Sequence, residues 1–228
     1  MNNESIPIIT IDGPSSSGKG SISRKLASEL NWNLLDSGAL YRIVAFSAKL
    51  NKIPIKRESL IKNSISKLKI RFKLLGTFEQ KIFLDDRDIT TEIRTEKCGQ
   101  NASKIAKYQT VRDELIGLQR EFLKKPGLIA DGRDMGTVVF PASKLKIYLT
   151  ADQKERAMRR CNELKQKGIN VRFAAVLDDL EKRDNQDKER NVAPLKVSPD
   201  SVLIDSTNLS IDEVASKILS LSKLRNVF

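Results

Sequence analysis

The chain has 228 residues, enough to bury a full core, and its 41 Lys and Arg against 29 Asp and Glu give a formal charge of +12. It contains no histidine, which removes Ser-His-Asp and Cys-His catalytic sets, HExxH zinc sites and imidazole acid–base chemistry. Chemistry without His must work by positioning and charge stabilisation, or through carboxylates, Lys or Arg, and phosphoryl transfer fits that demand.

The positive charge asks for anionic partners, but a solvated basic surface, nucleic acid and free nucleotides all satisfy it. No uncharged apolar run approaches the roughly 20 residues that span a bilayer. The start of the chain has no basic n-region, so no signal peptide is expected. Cys98 and Cys161 stand far apart in no metal-like spacing. They read as reduced thiols in a cytoplasmic protein.

In chain order, the β-branched run 6–11 predicts a buried strand, and a Gly/Ser-rich turn follows it. Ile22, Leu26 and Leu30 then recur at helical spacing over 21–30. Further strands are predicted at 32–35, 128–130, 145–149 and 202–204, with helices over 39–50, 109–123, 153–167, 174–187 and 211–224. Alternation of this kind implies an α/β fold with a parallel sheet flanked by helices. The rhythm breaks over 65–93, where Leu68, Ile70 and Phe72 alternate with Lys67, Lys69 and Arg71. Ile82, Phe83 and Leu84 then lead to a turn-like Asp85-Asp86, so this segment reads as a small antiparallel β insertion. The expected division is a core domain over 1–60 and 98–228, a β insertion over 61–97, and a helical lid over about 153–170.

Gly13-Pro14-Ser15-Ser16-Ser17-Gly18-Lys19-Gly20-Ser21 lies between the first strand and the first helix. A phosphate-binding loop needs that context, because backbone N–H groups wrap the phosphates and the helix N-terminus adds its positive end. Lys19 would then reach the β- and γ-phosphates of ATP. The common pattern places Ser or Thr directly after this lysine to meet Mg²⁺. Here Gly20 stands there and the hydroxyl comes at Ser21. Mg²⁺ is therefore expected to be held mainly by phosphates and water, with Ser21 as the candidate protein ligand. The Gly-Lys-Gly-Ser ending resembles that of the nucleoside-monophosphate kinases, a resemblance that weighs against a GTPase.

On the acceptor side, Ser37, Tyr41 and Arg42 follow the second strand, at the edge where open α/β sheets bind ligands. A helix cap at Ser37 and a solvated charge at Arg42 fit equally well. The strand over 128–130 runs into Asp131-Gly132-Arg133-Asp134. That is more charge than a buried strand tip needs. Arg133 suits bidentate phosphate binding, and Asp134 can accept from a base or ribose. Arg156, Arg159 and Arg160 share a helix face ahead of the polar turn 165–168. They read as a lid that closes over the transferring phosphate, with Arg156 and Arg160 as catalytic cations beside Lys19 and Arg133, and Arg159 as an ATP contact. A surface stripe balanced by Glu155 and Glu163 is the alternative.

The motifs Asp36-Ser37-Gly38-Ala39-Leu40-Tyr41-Arg42 and Asp131-Gly132-Arg133-Asp134-Met135-Gly136-Thr137 together resemble those of the bacterial cytidylate kinases. The similarity extends to Glu92-Ile93-Arg94-Thr95 and Asp205-Ser206-Thr207. It implies the P-loop nucleoside-monophosphate kinase fold, with the β insertion serving as the CMP-binding domain. It further implies that Ser103, Arg112 and Asp134 meet the cytosine, that Arg42, Arg133 and Arg190 hold the acceptor phosphate, and that Arg183 and Asp187 meet the ribose. The family transfers the γ-phosphate of ATP to CMP or dCMP. The spacing of Arg183, Asp187 and Arg190 at i, i+4 and i+7 predicts one shared helix face, as a solvent-facing ion-pair ladder also would.

A nucleoside monophosphate is mostly dianionic at pH 7, its second pKa being near ~6, so its oxygen attacks without a protein base. The expected partners are small nucleotides, with no nucleic acid or membrane, and the expected state is a monomer. A basic RNA-binding protein with an ancillary NTPase remains an alternative, although 5% aromatic residues leave little for base stacking. A P-loop kinase for UMP, dTMP or a non-nucleotide acceptor is the nearer one.

Overall fold

The computed structural model describes residues 6–76, 79–166, 168–190 and 192–228. Residues 77–78 of the expected insertion and Lys167 of the expected lid turn lie outside them. The chain opens with β1 (Ile8–Asp12), α1 (Lys19–Leu30), β2 (Asn33–Asp36), α2 (Ser37–Leu50) and α3 (Glu58–Ile65). Then come β3 (Ile70–Leu75), β4 (Glu79–Leu84), β5 (Arg87–Asp88), α4 (Thr90–Ile93), α5 (Glu96–Ile105) and α6 (Gln109–Arg120). After β6 (Leu128–Gly132) and a π-helical turn over Met135–Val139, the chain ends with β7 (Leu145–Thr150), α7 (Gln153–Gln166), α8 (Phe173–Glu189), β8 (Val202–Asp205) and α9 (Ile211–Leu224). The larger sheet has five strands and the smaller three. The fold is thus α/β, with a mostly parallel sheet, flanking helices and a small antiparallel sheet, as the sequence patterning predicts.

Two compact units divide the chain. One holds Ser23–Asp131 with the segment ending at Ile8, and the other holds Ile9–Ile22 with Gly132–Phe228.

In the first unit β2 pairs in parallel with β6, from Asn33↔Leu128 to Asp36↔Asp131. Pro7, within the predicted first strand, has no N–H to give a ladder. Its carbonyl nevertheless accepts from the Leu128 N–H at 3.0 Å. The smaller sheet runs antiparallel from Ile70↔Leu84 to Leu75↔Glu79. Asp85 and Asp86 both adopt left-handed φ, of 49° and 65°, between the paired Leu84 and Arg87. That is the conformation a two-residue hairpin turn requires, and short acidic side chains tolerate it. Ile82 and Leu84 turn inward to the core, while Arg71 and Lys73 face out.

Helices intrude where the sequence pattern suggests strand. The expected insertion over 61–97 begins within α3 and ends with α4 and the first two residues of α5. The buried side of α5 is Cys98, Gly99, Ala102 and Ile105. Small residues of that kind leave little periodic signal to read.

In the second unit β1, buried along its whole length, pairs in parallel with β7 through Ile11↔Ile147. β7 pairs in turn with β8 through Leu149↔Ile204. α9 starts in a reciprocal cap, Ser210 bonding the Glu213 N–H while the Glu213 carboxylate accepts from Ser210. α7 and α8 pack through Ala157, Val176 and Leu180, with Cys161, Leu164 and Leu177 around them. Cys98 and Cys161 are both free thiols.

Candidate functional site

The second unit carries the glycine-rich loop. Gly13 has φ +148°, and a Cβ there would come within 2.0 Å of the Leu149 carbonyl oxygen. Only glycine lets the chain leave β1 this close to β7. Gly18, at φ +94°, opens α1, and its carbonyl accepts from the Ser21 and Ile22 N–H groups. The Lys19 ammonium curls back over the loop, donating to the Pro14 carbonyl at 2.7 Å and to Ser17 Oγ at 3.4 Å. Ser17 Oγ itself donates to Pro14 O at 3.1 Å. Lys19 is only 5% exposed, so a cation sits within a ring of backbone at a helix start, where an anion is favoured.

Arg133 ties this loop to α8. Its Nη2 donates to Ser15 Oγ at 3.0 Å, its Nη1 to Gly132 O at 3.1 Å, and its Nε to the Asp187 carboxylate at 2.8 Å. Burial alone would raise the Asp187 carboxyl. The Arg133 charge and hydrogen bond, with the charges of Arg190 and Arg183, hold it below its ordinary value instead. Arg183 and Asp187 stand one turn apart on α8, and Arg190 follows as its C-cap with φ still helical at −61°, its charge near enough to Asp187 to lower that carboxyl. The helix stops at Glu189, and Arg190 is its extended cap, with ψ 136° and Nε donating to the Ala193 carbonyl at 2.6 Å. Pro194 lies just beyond, and proline cannot continue a helix.

The three lid arginines each meet their own carboxylate. Arg156 Nη1 bonds Asp184 at 2.5 Å and the Ser15 carbonyl at 3.1 Å, and its Nε donates to Ala151 O at 3.1 Å. Arg159 pairs with Glu155 at 2.8 Å and sends Nη1 and Nη2 to the Ser206 hydroxyl and carbonyl, at 3.1 and 2.6 Å. Arg160 pairs with Glu163 at 2.7 Å. Two of these ion pairs are to Glu155 and Glu163, the glutamates named in the surface-stripe alternative. Arg156 is buried against the loop rather than displayed on a surface.

In the first unit the structure brings together Arg112 and Tyr41, the Arg112 guanidinium lying 5.7 Å from the Tyr41 ring centre. Arg42 Nη1 donates to the carbonyls of Ile93 and Thr95 at 2.8 and 3.0 Å. Gly99 makes room for that guanidinium, since a Cβ there would lie 2.6 Å from Nη2. Cys98 Sγ donates to the Arg42 carbonyl at 3.3 Å, and burial pushes this thiol up. Ser37 is not the cap of α2. Asp36 is, accepting from the Ala39 N–H at 2.9 Å, while Ser37 Oγ donates to Gln119 Oε1 at 2.6 Å. Ser103 lies half-buried on α5.

Two residues not singled out by spacing complete the second unit's set. Asp12 ends β1, and its two carboxylate oxygens accept from the N–H groups of Met135 and Gly136, both at 2.8 Å. Burial pushes its pKa up to about 6, further raised by the Asp134 charge and opposed by the two amides and Lys19. Ser206 Oγ donates to the Ser17 carbonyl at 3.0 Å, linking the β8 end to the loop.

A glycine loop wound between a buried strand and a helix, closed over by its own lysine and braced by Arg133 and Arg156, defines a P-loop nucleotide-binding protein. Residues 9–224 match the family model described as Cytidylate kinase. Among curated relatives, the cytidylate kinase of Nitrosomonas europaea is 44% identical, with 97% of each chain covered. That of Colwellia psychrerythraea is 48% identical over 95% of this chain and 96% of its own. That of Pseudomonas fluorescens is 49% identical over 97% of both. The chain belongs to the cytidylate kinase family, and so to the nucleoside-monophosphate kinases.

Proposed function

We propose that the chain transfers the γ-phosphate of ATP to CMP or dCMP, giving ADP with CDP or dCDP. The observation that carries this reading is the loop over 13–19, folded around the buried Lys19 and braced at Ser15 by Arg133 and Arg156. Its N–H groups and ammonium suit the donor phosphates. Arg133 offers a guanidinium fork to phosphate. Ser103, Arg112 and Asp134 are proposed to read the cytosine, Arg183 and Asp187 the ribose, and Arg42, Arg133 and Arg190 the acceptor phosphate. The acceptor phosphate is its own nucleophile, so these groups need only align the reactants, spread charge and exclude water. Arg159 and Arg160 on α7 are proposed to move over the donor as a lid, exchanging their glutamates for phosphate.

Mg²⁺ is proposed to accompany the nucleotide. The described residues contain no group of three Asp, Glu, Cys or His that could hold a metal, and Ser21 lies in the first turn of α1. The ion is proposed to be held chiefly by phosphate oxygens and water, with Ser21 as the candidate protein ligand. When bound it would neutralise phosphate charge. No helix among the described residues is long and apolar enough to cross a membrane; the reaction is proposed to be cytoplasmic and the enzyme a monomer.

A coupled ADP-release assay across CMP, dCMP, UMP, AMP and dTMP tests the substrate. The expected order places CMP and dCMP at least about tenfold above the others in kcat/KM, the margin one well-made polar contact gives. Equal turnover of UMP or AMP would overturn the cytosine assignment, and no ADP release with any acceptor would overturn the kinase assignment.

A further inference from the structure

The first unit contains a cavity of about 390 Å³ that none of the proposed substrate residues lines. Its walls are Trp32, Leu34, Phe72, Leu118 and Phe122, and Gln80 faces into it. Asn33, at the N-terminal start of β2, contributes to its lining, while Ser37 follows the last residue of the same strand. Four strand residues put these two ends roughly 13 Å apart.

Gln80 is the unusual member. It is 2% exposed, and neither its Oε1 nor its Nε2 makes a hydrogen bond among the described residues. A buried carboxamide left unsatisfied costs stability, and such groups are rare in folded proteins. It stands on the same strand face as Ile82, where an apolar residue would pack without that cost. The aromatic walls around it are braced. A Cβ on Gly127 would come 2.4 Å from the Trp32 ring, so the indole lies flat against bare backbone. Asn33 Nδ2 pins the adjoining turn by donating to the carbonyls of Lys124 and Gly127 at 2.8 and 3.0 Å. Phe72 and Phe122 lie 5.4 Å apart, with their rings tilted by 54°.

We propose that this cavity is a second small-molecule site and that it takes a nucleobase. A flat ring fits between aromatic walls, and a base edge with neighbouring donor and acceptor matches the one acceptor and two donors of an unspent carboxamide. The rim opposes Lys124 to Glu121, while Arg71 is engaged by Asp86 at 3.3 Å and stacks 4.3 Å from the Phe83 ring centre. The mouth is therefore close to neutral, which favours a nucleoside over a phosphate. The site does not depend on the kinase reading.

Trp32 is the single tryptophan of the chain, so its emission reports on this cavity. The test is titration of the full-length protein with adenosine, guanosine, cytidine and uridine in turn, with CMP and ADP held in excess to cover substrate positions. At least one nucleoside should change Trp32 emission saturably. Gln80→Met should raise that midpoint by about tenfold, the value of one hydrogen bond. The same variant should melt no lower than wild type and keep its phosphotransfer rate, since it removes an unpaired buried amide. Phe72→Leu supplies an independent reading should Gln80→Met fail to fold, and should raise the midpoint about fivefold. Absence of any saturable change with all four nucleosides, or an unchanged midpoint in the variant that folds, would overturn the proposal.

Discussion

Lys19 is held by the loop it serves. Its ammonium lies on the Pro14 carbonyl at 2.7 Å, so its charge is already positioned and needs little reorganisation when phosphate arrives. Lys19→Ala should lower kcat on the order of 10³-fold, the loss typical when one preorganised donor is removed from a developing charge. The fold should survive, with a stability change of about 1 kcal/mol, because the acceptors that lose the ammonium, Pro14 O and Ser17 Oγ, are neutral. Activity assays beside urea unfolding separate the two effects, and retained turnover would remove the loop from the reaction. The loop was legible in the sequence because its contacts are local, Lys19 reaching back five residues to Pro14. Asp12 was not, because the amides it holds are 123 and 124 residues away. Its one sequence clue is a carboxylate at the tip of a buried strand, immediately before Gly13.

At the scale of elements, the α7–α8 pair depends on a buried ion pair. Arg156 and Asp184 have side chains 8% exposed and bond at 2.5 Å, while Asp184 Oδ1 has no hydrogen-bond partner among the described residues. Removing one partner from such a pair leaves a buried charge uncompensated. Asp184→Asn should therefore destabilise the protein by about 3 kcal/mol, measurable by urea denaturation. It should also loosen the loop, since Arg156 holds the Ser15 carbonyl as well; a raised KM for ATP is the expected sign. An unchanged denaturation midpoint would show that the pair contributes nothing net. Helices with Ile and Leu stripes, such as α1, α2 and α9, could be read from periodicity, as could the alternating β3. α3, α4 and α5 could not. α4 is a single turn, and the buried face of α5 is built from Cys, Gly and Ala. α8 ends at Glu189, two residues beyond the 174–187 expected, because apolar spacing carries no information about where a helix stops.

For the whole molecule, two buried acids make stability depend on pH in opposite directions. Asp187, held below its ordinary value, contributes stability above its unfolded pKa, and this is lost only as pH falls through its still lower folded pKa. Asp12 has the reverse sign. Its folded pKa of about 6 exceeds the ordinary carboxyl value of 3.8, so between these values the folded state binds the proton that the unfolded chain has released. Stability attributable to Asp12 must then fall as pH rises through this window. The change amounts to about 2 kcal/mol between roughly pH 4.5 and pH 7. Asp12→Asn does not titrate there, but its amide must turn a donor toward one of the two N–H groups that the carboxylate satisfies, so it begins less stable. The gap between wild type and Asp12→Asn should therefore be widest near about pH 4.5 and narrow by about 2 kcal/mol at about pH 7. Denaturant titrations of both proteins across that range measure it. A gap that stays constant with pH would mean that Asp12 titrates in the folded protein as it does in the unfolded chain, and that its two amide bonds fully offset its burial.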